Sequence, residues 1–305
     1  MTAVDFLQLD LAPMLIGVLA SLVCALPGTF LLLRRQALIG DAISHVVLPG
    51  VVLAFLVAGA VSAWPMMLGA GAAALVAVGL IEAVRRLGRI EPGAAMGVVF
   101  TAMFAAGVLI LERTDTSGVH LDVEHALYGS LETLIWFDAE GWGSLLDPAA
   151  LAGLPPQLPR LAVALLGVGL FLALAWRPLA LATFDPGFAA AVGAPARLVS
   201  LGLVAATAAA AVAAFDAVGS IIVIAMFVCP PAAARLMTER LGAMLAWAAG
   251  FAILSAVLGY VAAVWGPLQL GSPHAVSVAG MIATVSGAIL AVACLAAPRR
   301  RRAAA

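Results

Sequence analysis

In the stretch IGDAISHVVLPG, Asp41 and His45 stand four residues apart, a spacing that puts two side chains on one helix face about one turn from each other. A carboxylate and an imidazole so placed form either a mutually hydrogen-bonded pair or part of a ligand set for a divalent transition ion. Zinc, manganese and iron all accept imidazole nitrogen and carboxylate oxygen. Asp216, in AAFDAVGS, is the carboxylate that would complete such a site if the fold carried it across from another helix. All three stand among Ala, Leu, Val, Gly and Phe. A charged side chain at the centre of a membrane helix costs at least ~2.5 to 3.5 kcal/mol, so it needs a partner, a watery cavity or a function. Pro49 and Gly50 follow His45 by about one turn and predict a bend or opening whose freed carbonyls would line a cavity. Gly219 lets backbones approach closely beside Asp216.

Other ionisable and sulfur-bearing residues carry less. His120 and His125 lie in a charged segment and read as solvated; His274 follows Gly271 and Pro273 and reads as capping a turn. Met226 and Cys229 offer soft sulfur, but both residue types pack well in apolar helices. Cys24, Cys229 and Cys294 stand singly, without CxxC spacing, so neither a disulfide framework nor a structural zinc site is expected. There is no HExxH and no GxSxG, which argues against an intramembrane protease. A Walker A loop needs a lysine to reach the phosphates, and the chain has no lysine. If ATP drives any process here, its hydrolysis belongs to another chain, and this one is no enzyme.

The elements that must position these residues are membrane helices. Of 305 residues 65% are hydrophobic and 10% charged, against about 25% charged in an ordinary soluble domain. With fifteen basic and sixteen acidic residues and a net charge of −1, no basic face exists to neutralise nucleic-acid phosphates. The apolar runs do not alternate as barrel strands do, so an all-α polytopic bundle is expected. A span needs about 20 mostly apolar residues. Cutting at charges, prolines and turn residues gives nine candidates, at 13–33, 38–60, 64–84, 93–111, 160–177, 198–214, 217–235, 243–265 and 275–296. The stretches 38–60 and 198–235 are the ones that would break or re-enter, so the count lies between eight and ten. One transmembrane domain, 1–305, is expected. Residues 1–12 carry Asp5 and Asp10 and no positive region, so the first run reads as a span and not as a cleaved signal peptide.

Positive residues avoid translocation. Arg34, Arg35, Arg85, Arg86, Arg89, Arg177, Arg197, Arg235, Arg240 and Arg299 to Arg302 fall on one side of this arrangement, leaving Arg113 and Arg160 opposite. That predicts an inner or plasma membrane protein with the C-terminus in the cytoplasm, its terminal arginines against anionic lipid headgroups. The longest polar segment, 112–159, then lies outside. It holds Glu112, Asp115, Asp122, Glu124, Glu132, Asp138, Glu140 and Asp147, making a solvated loop, a docking surface or a vestibule that concentrates cations. Within it, LDVEHALYGSLETLIW predicts a short amphipathic helix at the membrane surface through Leu127, Leu131, Leu134 and Ile135. Pro148, Pro155, Pro156 and Pro159 break any helix before the next span.

Four segments, IGDAISHVVLPGVVLAF, PGAAMGVVFTAMFAAGVLI, FDPGFAAAVGAP and DAVGSIIVIAMFVCPPAAARLM, together resemble the permease subunits of ABC importers for zinc, manganese or iron(II), in the same order from about residue 14 to 297. Gly40 to Gly50 match that family's first motif throughout. The resemblance implies a fold of the metal and cobalamin permease type with no permanently bound cofactor and a divalent metal ion as cargo. It also implies a homodimeric or pseudo-dimeric permease, a cytoplasmic ATP-binding subunit, and an extracellular or periplasmic metal-binding protein that delivers the ion. It implies Asp41 and His45 as coordinating residues and Asp216, where the family often carries Glu, as the third. Cys229 stands where relatives usually have an apolar residue, and GSPHAVSV departs from the Ser/Thr-Gly-Pro/Ala pattern expected before the last span. Coupling to the ATPase needs a cytoplasmic projection. The arginine pattern offers FDPGFAAAVGAP at 184–195, ending near Gly193, and PPAAARLMTERLG at 230–242, with Pro231, Arg235 and Glu239. Similarity to the larger cobalamin and siderophore permeases favours the second. A secondary transporter driven by an ion or proton gradient also places carboxylates at mid-membrane and is the alternative.

Overall fold

The computed structural model describes residues 3–58, 63–113, 131–269, 271 and 276–303, and among them all regular structure is helical. Helix α1 (Ala12–Leu33) is entered through one π-helical turn, Phe6–Leu11. Then come α2 (Leu38–Ala58), α3 (Ala63–Gly88) and α4 (Pro92–Arg113). Two 3-10 turns, Leu131–Thr133 and Trp142–Leu145, precede the short α5 (Pro148–Ala152). Beyond it lie α6 (Gln157–Leu174), α7 (Trp176–Phe184), α8 (Pro186–Ala191), α9 (Ala196–Met237), α10 (Leu241–Gln269) and α11 (Val278–Ala303). Eight helical segments among the described residues are long and apolar enough to cross a membrane, and α2 adds a shorter apolar run, Pro49–Ala58. The helix continues through Pro49, so the opening expected at that residue is not present.

Helix α1 and the second arm of α9 form the centre. Ile16, Ala20, Val23, Cys24, Phe30 and Leu31 are fully buried against Ala217, Val218, Ile222, Val223, Met226 and Phe227. Lipid offers helices no hydrophobic reason to associate, so small residues that let backbones approach do this work. A Cβ on Gly28 would stand 2.5 Å from the Phe227 carbonyl oxygen. Hydroxyls within the helices bond back to the preceding turn, Thr29 to the Ala25 carbonyl at 3.0 Å and Thr207 to that of Leu203 at 2.8 Å, which spares them an unpaired existence in lipid.

The 42 residues of α9 do not run straight. Gly219 has φ 73° and ψ 177°, a conformation that only glycine adopts without strain. Ser200 near the start of α9 and Ala234 near its end both meet the end of α1, through Arg34 and through Leu32 and Leu33. The chain therefore reverses at Gly219, and α9 is a hairpin of two membrane helices. The two spans expected at 198–214 and 217–235 are these arms.

At the end away from the arginines, the described part of the long polar segment folds inward. Trp136 is buried beneath Leu7, Ala12, Ala139 and Ala150, and its indole N–H donates to the Ala150 carbonyl at 2.8 Å. The Gln8 amide donates to the carbonyls of Ala139 and Phe137. The amphipathic surface helix expected over 121–136 lies mostly outside the described residues; its described end is one 3-10 turn whose Leu131 is fully buried. Asp147 caps α5, accepting from the Ala149 N–H at 3.0 Å.

Candidate functional site

The residues around Asp41 and His45 are small or apolar where α2 crosses its neighbours, and this sets the pair's position. A Cβ on Gly40 would strike the Phe227 ring at 2.7 Å. Gly50 and Gly69 approach so closely that a Cβ on either would meet the other's carbonyl oxygen, and Pro49 packs on Gly107 of α4. Ala42, Ile43 and Val46 are buried. With these sides of α2 occupied, Asp41 and His45 share what remains, with 27% and 24% of their side-chain surface exposed.

The imidazole is held from two directions. His45 stacks on Phe100 with ring centroids 5.5 Å apart and planes 22° apart, and meets Phe104 edge-on, also at 5.5 Å, at 76°. These two aromatic residues are one turn apart on α4 and form a clamp. Sequence reasoning placed Phe100 in a motif but gave neither ring a role; two aromatics at i, i+4 in VVFTAMF were the signal. So clamped, His45 Nε2 lies 3.3 Å from Asp41 Oδ1, long for a charge-assisted hydrogen bond. Two donor atoms that share one ion at about 2.1 Å each stand roughly 3.0 to 3.4 Å apart for angles between 90° and 110°. The pair is already spaced for a shared cation.

Among the described side chains no cluster of three or more His, Cys, Asp or Glu is in place to hold a metal. The Asp216 side chain lies outside the described residues; its backbone is helical, at the end of the first arm of α9, three residues before the Gly219 reversal. Its neighbour Phe215 packs against a cluster that also takes in Val51, Ala70 and Val212. His120, His125 and His274 also fall outside the described residues. Met226 is fully buried in the core and Cys229 is half-buried.

A second carboxylate deep in the fold went unremarked by sequence reasoning beyond its charge. Asp10, in the π-helical turn, is 3% exposed; its Oδ1 accepts from the Tyr260 hydroxyl at 2.8 Å, and its Oδ2 has no partner. Its signal was a lone acid at the mouth of an apolar run.

The two coupling candidates differ in exposure. Helix α8 begins at Asp185, whose Oδ1 accepts from the Phe188 N–H at 2.8 Å, and ends at Gly193 with φ 71°. It presents Phe188 and Val192, each 53% exposed, beside Phe184 at 62%. By contrast Pro231 is buried inside α9, which continues to Met237. Arg235 is exposed and donates to the Thr238 carbonyl at 3.4 Å, and Glu239 is exposed in the short turn to α10. The exposed large apolar side chains lie in 184–195, whereas 230–242 exposes Arg235, Glu239, Arg240 and Gly242.

Comparison with known proteins bears on this arrangement. The family model described as the ABC 3 transport family matches residues 7–138 and 155–288. The chain is 40% identical over 285 residues to the manganese transport system membrane protein MntD of Bacillus subtilis, covering 92% of this chain and 90% of that protein. It is 36% identical over 286 residues to the zinc transport system membrane protein TroD of Treponema pallidum, covering 93% and 73%. Its fold is similar to that of a chain in the solved structure of PsaBC from Streptococcus pneumoniae in complex with Fab, with a TM-score of 0.73 and 22% identity over 92% of this chain and 89% of that one.

Proposed function

The chain belongs to the ABC 3 transport family, a multi-pass membrane permease of the metal importer type, and from that premise we propose that it carries divalent transition-metal ions, manganese or zinc and also iron(II), into the cell. The observation that carries the reading is the Asp41 and His45 pair, clamped by Phe100 and Phe104 with its donor atoms 3.3 Å apart. Relatives named for manganese and for zinc transport support the class of cargo. An ion would take Asp41 oxygen and His45 nitrogen as it passes, with Asp216 as the third ligand. Such a path must bind weakly at several points, because a site that held the ion as a structural zinc is held would not release it.

The single transmembrane domain spans 1–305, with its arginine-rich end and C-terminus in the cytoplasm by the distribution of positive charge. The acidic segment 112–159 then faces an external metal-binding protein. ATP is hydrolysed by a separate cytoplasmic subunit, and two permease chains, identical or paired, complete the path. The main coupling element is segment 184–195 with Gly193, because its exposed Phe184, Phe188 and Val192 offer an apolar plug to a partner. Arg235 and Glu239 form the neighbouring turn, and Pro231 stiffens the helix behind it.

The experiment is growth of metal-starved cells with manganese, zinc or iron(II) restored singly, with and without the partner ATPase. Rescue by at least one ion, dependent on the ATPase, is expected. Rescue that persists without the ATPase under a proton gradient would instead identify a secondary transporter.

A further inference from the structure

At the arginine-rich end a cavity of about 590 Å³ opens between the ends of α1 and α3, the start of α2, α7 and the start of α9. Asp41 and His45 are not among its lining residues, although Ala42 and Ile43 are, and the transport reading does not use it. One wall is set by the turn after α1. The Gln36 N–H bonds to the Leu31 carbonyl and the Arg35 N–H to that of Leu32, with Arg35 at φ 58°. This is the double bond pattern with a left-handed residue that closes a helix firmly, and it fixes Arg34 at the cavity. The Arg34 guanidinium donates through Nε to Thr183 Oγ1 and through Nη1 to Ser200 Oγ, both at 2.9 Å. Its Nη2 is buried without a partner. Burial lowers its pKa from the ordinary arginine value, but arginine is effectively never deprotonated in proteins, so a charged donor is left unsatisfied.

A buried unpaired donor is costly and rare. Arg85 and Arg86 also line this cavity, and the one carboxylate there, Glu82, is shared between them at 3.4 and 2.6 Å. Three guanidinium groups against one carboxylate leave a net charge of +2, matched to an anion that accepts from several forks at once, as a phosphate does. Besides Gln36, Thr183 and Ser200, the lining is apolar, with Ile39, Ile43, Ile81, Leu201 and Val204, a wall that a free phosphate does not need and an acyl chain does. Basic cavities between membrane helices are where anionic headgroups bind.

We propose that this cavity binds a phosphate-bearing anion, and that its source is an anionic phospholipid whose phosphate meets Arg34, Arg85 and Arg86 while one acyl chain lies along Ile39, Ile81 and Leu201. The site would tie the ends of α1, α3, α7 and α9 together through a component of the bilayer. The test is native mass spectrometry of the purified full-length chain with phosphatidylglycerol, phosphatidylcholine or inorganic phosphate. It is run on the wild type, on Arg34→Gln and on the double variant Arg85→Gln/Arg86→Gln. The double variant changes two side chains at the mouth, 42% and 62% exposed, and keeps the test open if Arg34→Gln does not fold. Phosphatidylglycerol should be retained by the wild type and phosphatidylcholine should not, with retention falling about fivefold for each arginine removed. Retention of inorganic phosphate with the same arginine dependence, and none of phosphatidylglycerol, would overturn the lipid source and keep the phosphate site. Equal retention of both lipids, or phosphatidylglycerol retention unchanged in the double variant, would overturn the proposal.

Discussion

Asp41 and His45 are each about one quarter exposed, so their mutual attraction stabilises the fold by no more than about 1 kcal/mol, while their chemistry serves the cargo. Asp41→Ala and His45→Ala should therefore abolish metal uptake and leave membrane insertion and thermal unfolding close to wild type; uptake of labelled manganese or zinc, beside a melting curve, checks both halves. Asp216→Glu lengthens the side chain by one methylene and should keep transport while shifting preference among manganese, zinc and iron(II), read in a competition assay. Asp10 serves structure. Tyr260→Phe removes the one hydroxyl bonded to its Oδ1 and should cost about 1 to 3 kcal/mol, seen as a lower unfolding temperature. The pair at 41 and 45 was legible in the sequence because four-residue spacing translates directly into one helix face. The Phe100 and Phe104 clamp and the Asp10 to Tyr260 bond were not, since each joins residues far apart in the chain, and a 3.6-residue period says nothing about which helix stands opposite.

The motif that carries the pair is also a packing surface, and this is clearest at the level of the helix. Gly50 and Gly69 let α2 and α3 touch backbone to backbone. Gly50→Ala or Gly69→Ala should force the two helices apart at a cost of about 1 to 3 kcal/mol and depress uptake by displacing Asp41 and His45 from the aromatic clamp. Gly71→Ala, where an added Cβ would meet nothing within 4 Å, should be neutral; thermal unfolding of the three variants side by side is the check. Most spans were readable from apolar length alone, because a bilayer imposes one thickness on every crossing. The pair of spans at 198–214 and 217–235 was readable, with Arg197 and Arg235 on one side, but the residue that turns the chain was not: Gly219 was one of several glycines, and only its backbone conformation marks it as the reversal. Likewise Pro49 predicted an opening, yet α2 continues through it, because close packing of Pro49 on Gly107 and of Gly50 on Gly69 holds the helix together. The burial of Pro231 was hidden for the same reason: a double proline marks a bend or a stop by itself, and here neighbouring helices carry α9 past it to Met237.

For the molecule as a whole, the arginine-rich end gathers the Arg34 cavity, the exposed Phe188 of α8 and the turn at Glu239, while at the opposite end Trp136 packs with Leu7 and Ala12. In the proposed function the first end meets the ATPase and the second the delivery protein. On that proposal the exposed Phe188 of α8 meets the ATPase. Phe188→Ala should thus uncouple transport, leaving the permease folded and assembled but lowering ATP-dependent uptake about tenfold or more, as loss of a buried aromatic anchor does at other interfaces; co-purification of the ATPase together with uptake measures it. In the proposed function the cargo travels by way of Asp41 and His45 under ATP control. The most direct measurement is uptake of labelled manganese and zinc into proteoliposomes that hold the purified permease and its ATPase, comparing wild type with the Asp41→Ala/His45→Ala double variant. ATP-dependent uptake by the wild type and background counts for the double variant are expected; equal uptake by both would contradict the account.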